Sequence, residues 1–268
     1  MLVEAFIVAA LTVPLPQQYN IPYKPQPAGG CAGTDFTAYG TLEAHWTLDA
    51  NTWLDETANN NDLTEITTDV GQEGTIKEEG TNSADFSGAT ATNARLVLDE
   101  ADMAAGMPTE SSASTTGDLT YAFRLNFADI NTGAYVQFFH PSNWNDHGPI
   151  IAKDTDDYFT ISSQFDNCEW TTAVTASTWY HLGLRYTSAD TADELSLVVD
   201  DVERCSVNDD AHGVCPASQS GCLNLGTGTE GANEFEGYMD EVLILSASLD
   251  LTEFTSLHAN GADGCGLP

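Results

Sequence analysis

The chain has 268 residues, 41% of them hydrophobic, enough for one large domain or two small ones and too apolar for a disordered acidic tail. Forty-one acids against 7 bases leave a formal net charge of -34. A surface of that sign repels phosphate backbones and anionic headgroups, which argues against nucleic acid and an anionic membrane surface as partners, and it attracts cations.

Met1 to Val13, MLVEAFIVAALTV, is an apolar run too short to span a bilayer as a helix. Two roles are open for it. A signal-peptide core lacks support from a basic start or a cleavage pattern, and Glu4 sits where a positive charge belongs. An assembly strand would instead add to a neighbouring subunit's sheet. Residues 14–30 form a proline-rich linker expected to run extended, and residues 31–268 read as one domain.

Within that domain the signal is period two. LEAHWTLD places Leu42, Ala44, Trp46 and Leu48 inward, and the polar loop LDETANNNDLT follows. Next comes ARLVLD, then DLTYAFRLNF with Leu119, Tyr121, Phe123, Leu125 and Phe127 on one face. YVQFFH, PIIAK, YFTISSQF, WYHLGLRY and ELSLVVD are further strands separated by turn clusters. In FEGYMDEVLIL the parity slips: Phe235, Gly237 and Met239 share one face, whereas Val242 and Ile244 take up the apolar signal on the other. Such a slip predicts a bulge at Asp240–Glu241 that turns a carboxylate off the pleat, or an edge strand guarded by charge. Asp250 and Glu253 predict a capping box opening one short helix that NGADG stops. Many short strands without βα alternation indicate an all-β sandwich or jelly roll.

None of the six cysteines forms a C-x-x-C pair, so disulfides are expected, together with an extracellular or particle-surface location. Proximity suggests Cys215–Cys222, Cys168–Cys205 in or beside successive strands, and Cys31–Cys265, among about fifteen connectivities. GTGTEG, Gly226 to Gly231, reads as a turn, because no helix follows it. DTDD reads as a hairpin tip with a weak cation contact, and His181 as a packing residue beside Trp179 rather than a ligand.

The order WTLD, DETANNNDLT, IIAKDTDDYFTIS, WYHLGLRY, LVVDD, FEGYMDEVLIL and a capped helix resembles the laminin G-like, concanavalin A-like lectin domains. The likeness covers roughly Tyr39 to Gly264 and implies an antiparallel two-sheet jelly-roll sandwich of about seven strands per sheet. Many such domains bind calcium and glycans. The resemblance therefore implies a calcium held by Asp55, Asn59, Asn61 and Asp62 of the loop and completed by Asp240. This chain has Ala58, Asn60 and Leu63 where the family usually has glycines.

Some enzymes of this fold present two carboxylates on one strand face. Glu234 and Glu236 have that parity but no third acid in register, so a non-catalytic domain is expected. The best sugar-binding loop is HPSNWNDHG, where Asn143, Trp144, Asn145 and Asp146 combine a stacking surface with polar groups. These readings converge on a surface-exposed lectin-like module, a structural subunit of a virion or filament that recognises glycan or joins neighbouring subunits through its N-terminal segment. The alternatives are a secreted calcium-dependent carbohydrate-binding protein and, behind it, a glycoside hydrolase.

Overall fold

The computed structural model describes residues 41–260, apart from 51, 67–69, 79, 88–93, 105–106, 108–116, 141–149, 163–166, 189–193, 209–221 and 227–234. All of these belong to the second of the two units into which the chain divides, Cys31–Pro268. In chain order the strands are β1 (Leu42–Trp46), β2 (Thr64–Glu65), β3 (Gly71–Glu73), β4 (Ser83–Asp85), β5 (Arg95–Leu98), β6 (Leu119–Asp129), β7 (Val136–His140) and β8 (Ile150–Lys153). They continue with β9 (Tyr158–Ser162), β10 (Asn167–Ala173), β11 (Trp179–Tyr186), β12 (Leu195–Val199), β13 (Val202–Val207), β14 (Leu223–Gly226) and β15 (Glu236–Leu245), before helix α1 (Leu251–Asn260). Two antiparallel sheets result, an 8-stranded one ordered β13-β12-β11-β6-β15-β4-β3 with β1 also paired to β15, and a 7-stranded one ordered β10-β9-β8-β7-β14-β5-β2. This is the two-sheet sandwich that the alternating pattern predicts.

Between the sheets lies an aromatic core, because the inward parity of the central strands is rich in phenylalanine. Phe123 stacks on Phe139 at 4.8 Å, and Phe127 meets Phe138 and Phe235 edge-on at 5.7 and 5.4 Å. Each such ring withdrawn from water contributes about 1.5–3 kcal/mol before entropy is counted. The seam is closed covalently: Cys168 of β10 is bonded to Cys205 of β13. Those strands are not the successive pair expected from the sequence but edge strands of different sheets, so the disulfide staples one layer to the other. Arg204 covers the same seam, its guanidinium 4.7 Å from the centre of the Trp170 ring. Cys222 is also disulfide-bonded. Cys31, Cys215 and Cys265 lie outside the described residues, as do residues 1–13 and the linker.

Two bulges explain where simple alternation fails. In β1 the register shifts between Leu42 and Ala44, so Ala44 and Trp46 enter the core while Leu42 packs on the opposite side of the sheet, contrary to the inward placement expected of it. Leu48 reaches the core through a left-handed backbone, φ 56°, beyond the end of the strand. In β15 Asp240 faces Arg124 and Leu243 faces Ala122, one residue too many on β15, and Glu241 has φ 50°. The predicted bulge is present at the predicted residues.

Helix α1 covers the outer face of the 8-stranded sheet. Its N-terminus carries the expected box: Asp250 Oδ1 accepts from Glu253 N at 2.8 Å, and Glu253 Oε2 accepts from Asp250 N at 2.7 Å. Phe254 and Leu257 then pack on Ala122, Val198, Leu243 and Leu245. Across β6, β11 and β12 the residues beneath the helix are small or β-branched, with Gly183 paired to Ala122 and Val198. A Cβ on Gly183 would lie 2.3 Å from the Phe254 ring, so the helix sits this close only because glycine is there.

Candidate functional site

The β15 bulge sends both acids away from the core. Met239 before it and Val242 after it both face inward, which leaves Asp240 and Glu241 for the outer surface and neighbouring strands. Glu241 Oε2 lies 2.8 Å from His45 Nε2, with both side chains buried. Asp240 Oδ2 accepts from Glu78 N at 3.0 Å.

His45 links this strand to the loop that follows β1. Its backbone N–H donates to Asp55 Oδ1 at 3.0 Å. Asp55 is the hub of the loop: Oδ1 also accepts from Thr57 N, while Oδ2 accepts from Thr57 Oγ1 and from Asn61 N and Nδ2. Asp62 Oδ1 accepts from Asp55 N, and Asn61 Oδ1 accepts from Ala104 N. Asn59 Nδ2 and Asn61 Nδ2 both donate to Glu43 O, at 2.8 and 2.9 Å. Asn60, one of the three positions that lack the family's glycines, has φ 57°, a conformation that asparagine tolerates almost as glycine does.

Asp55, Asn59, Asn61 and Asp62 are therefore brought together, while Asp240 is engaged with the Glu78 segment. Calcium needs six to eight oxygens directed at one point. This loop directs N–H groups at the Asp55 carboxylate and the Glu43 carbonyl, so in this arrangement the set closes the loop on itself.

A cation does occupy an oxygen cage elsewhere. The DTDD segment is the β8–β9 hairpin tip, with Asp157 N donating to Asp154 O and φ 65° at Asp157. Lys153, 0% exposed, donates from Nζ to Asp157 Oδ1 at 2.7 Å, Ala134 O at 2.8 Å and Asp154 O at 3.1 Å. This ammonium ties the β6–β7 turn to the β8–β9 turn.

At one end of α1 a second polar group assembles on the same outer face. His181 stands two residues before Gly183 on β11, and His258 stands one helical turn after Phe254, so their rings meet at 4.5 Å. Between them lies Asp201, in the two-residue turn joining β12 to β13, where Asp200 and Asp201 have φ 50° and 63°. Such consecutive positive angles suit the short polar side chain of Asp. Asp201 Oδ1 is 3.1 Å from His181 Nδ1, and Oδ2 is 2.8 Å from His258 Nδ1. Asp200 Oδ1 accepts from His181 N at 3.0 Å. Burial pushes the His181 imidazole down to about 4, the Asp201 hydrogen bond opposing and the charges of His258 and Arg124 adding to the shift. Burial would raise Asp201, but hydrogen bonds from both histidines outweigh it and hold the carboxyl well below its usual range.

His181, read from the sequence as a packing residue beside Trp179, meets Asp201, Phe254 and His258. The signals were faint: strand parity between His181 and Gly183, and the helical spacing of Phe254 and His258. Asn143, Trp144, Asn145 and Asp146 lie outside the described residues, as does Glu234. Glu236 opens β15 opposite Asp129.

Two antiparallel sheets enclosing an aromatic core define a lectin-type jelly-roll sandwich. The family model described as the concanavalin A-like lectin/glucanases superfamily matches residues 100–253, more than half of the chain, and the chain belongs to that superfamily. No curated protein matches the sequence. Among solved structures, the binding domain of Paraclostridial Mosquitocidal Protein 1 is similar at TM-score 0.61 and 13% identity, over 81% of this chain and 52% of that one. The receptor binding domain of botulinum neurotoxin D is similar at TM-score 0.58 and 10% identity, over 80% and 51%. Domain 4 of AbnA, a GH43 extracellular arabinanase from Geobacillus stearothermophilus solved with arabinotriose, is similar at TM-score 0.53 and 18% identity, over 82% and 98%. This chain thus spans about half the length of the two toxin chains. Identities this low establish the fold, which binding domains and a glycoside hydrolase's domain share. Among the described residues no helix is long and apolar enough to cross a membrane, and the inter-sheet disulfide fits an oxidising compartment.

Proposed function

We propose that this chain is a non-catalytic, lectin-like recognition module that binds glycan outside the cell. The observation that carries the reading is the sandwich itself, whose counterparts are named for receptor or general binding and, in one case, were solved with a bound oligosaccharide. The non-catalytic part is supported by the buried acids of the described residues. Asp55 and Asp240 accept backbone N–H groups and Glu241 faces His45, so these three carboxylates are engaged in holding the fold. The Trp144 loop is the proposed sugar contact, since sugars stack their apolar face on an indole while amides and carboxylates meet their hydroxyls. Residues 1–13 complete the proposal as the segment that attaches the module to a neighbouring subunit of a virion or filament, on the strength of their apolar run and the proline-rich spacer after it.

An oligosaccharide panel that includes arabinotriose tests recognition, read by calorimetry with calcium and with chelator. Binding that Trp144→Ala abolishes without changing the circular dichroism supports the reading. Equal binding by Trp144→Ala, or none to the panel, overturns the assignment of that loop. Binding lost in chelator would make recognition calcium-dependent, and release of reducing sugar would make the chain a hydrolase. Deleting residues 1–16 tests attachment, because a truncated chain that still assembles removes that role from the segment.

A further inference from the structure

Among the described residues, His181, Asp201 and His258 form a group of three metal-competent side chains, with one ligand atom from each within 4.8 Å of the other two. We propose that this group binds a first-row transition-metal dication of the zinc type, independently of any glycan site. Two imidazoles and one carboxylate suit zinc, cobalt or nickel and not calcium, which prefers an all-oxygen shell.

Both Nδ1 atoms already converge on the two oxygens of a single carboxylate, at 3.1 and 2.8 Å. Bonds of about 2.0–2.2 Å to a tetrahedral zinc place neighbouring ligand atoms a few tenths of an ångström farther apart than that. An ion therefore enters by a local adjustment of Asp201 and His258 that brings one ligand atom from each of the three side chains to a common point, with each imidazole turning its proton to Nε2.

The three ligands differ in mobility in the way such a site requires. His181 is fixed: its side chain is 4% exposed, and its backbone N–H is held by Asp200 Oδ1. Asp201 and His258 are 21% and 33% exposed, so the ion has a path from solvent and a fourth position is left for water. Two guanidinium groups oppose a cation here, Arg124 acting on His181 and Arg204 on Asp200. The Arg124 guanidinium is engaged by His258 O at 2.9 Å and by Glu78 Oε1 at 3.4 Å, that of Arg204 by Val199 O and the Trp170 ring, and Asp200 adds a second carboxylate beside the site. The net charge of -34 raises the local concentration of any dication.

Bound there, the ion would join β11, the β12–β13 turn and α1, pinning the helix to the sheet at the end opposite its capping box. Cobalt(II) provides the test, because its visible bands are intense only at low coordination number. The full chain, stripped by chelator and desalted, should take up one equivalent of cobalt with a nitrogen-ligated tetrahedral spectrum, and zinc should displace it while equimolar calcium does not. His258→Ala, a half-exposed helix position, should fold normally and weaken zinc binding by more than the about 10–100-fold typical of losing an outer-shell partner. His258→Gln should behave likewise. A weak, octahedral cobalt spectrum, or equal uptake by wild type and both variants, means diffuse binding to surface carboxylates and overturns the proposal.

Discussion

Replacing Lys153 with methionine keeps the length and apolar stem of the side chain and removes only the ammonium, which isolates the value of the oxygen cage. The native group is fully buried and makes three hydrogen bonds of 3.1 Å or less, to the Asp157 carboxylate and to the carbonyls of Ala134 and Asp154, with a longer one to Asn131 O at 3.5 Å. Bonds of this charged kind contribute about 1.5–3 kcal/mol each, set against several kcal/mol lost when the ammonium leaves water. In the variant the greater damage is to the partners: Ala134 O and the Asp157 carboxylate lose the ammonium, although Asp154 O keeps Asp157 N and Asp157 Oδ1 keeps Gly133 N. Breaking a buried pair from one side costs about 3–5 kcal/mol. The Asp157 side chain is 14% exposed, so water recovers part of its charge and the lower end of that range is expected. At about 2–4 °C per kcal/mol for a domain of this size, Tm should fall by about 6–12 °C. Urea unfolding followed by tryptophan fluorescence measures the loss, and Lys153→Met/Asp157→Asn should recover part of it through coupling between the two sites. A loss under about 1 kcal/mol, or additive effects in the double variant, would refute the reasoning.

Gly183→Ala should displace α1, since the new Cβ meets the Phe254 ring at 2.3 Å; overpacking of this kind costs about 1–3 kcal/mol, and a Tm equal to wild type would show that the ring yields freely. Opening Cys168–Cys205 by double serine substitution removes a loop closure across 37 residues and should cost about 4 kcal/mol, read as a lower denaturant midpoint. In chelator, His181 is neutral in the fold with its pKa lowered to about 4, against about 6.5 unfolded. Its contribution is whole above the unfolded value and is lost as pH falls towards the folded one, so about 2 kcal/mol should go between pH 7 and pH 5. Asp201, His258, Arg124 and Asp200 surround the ring, and His181→Gln should flatten that part of the profile; an unchanged slope would place the titration elsewhere.

Much of the fold was written in local pattern. Strand side chains alternate with period two, so the aromatic face of β6 and the phase slip at Asp240–Glu241 could be read directly, and the slip is the bulge of β15. Asp250 and Glu253 are three residues apart, within reach of each other before any tertiary contact forms, and the capping box followed from that spacing alone. Where a second segment chooses the partner, no local rule applied. Leu42 matched the inward parity, but a bulge set by pairing with β15 turned it to the far side of the sheet. Cys168 and Cys205 were paired correctly by proximity in sequence, yet only the strand order made that bond a staple between two sheets. Lys153 looked like a strand-end residue, and its cage exists because the β6–β7 turn folds over it from outside its own hairpin. His181, Asp201 and His258 lie on a strand, a turn and a helix, and side-chain chemistry that depends on three separate elements becomes a site only when packing sets the distances between them.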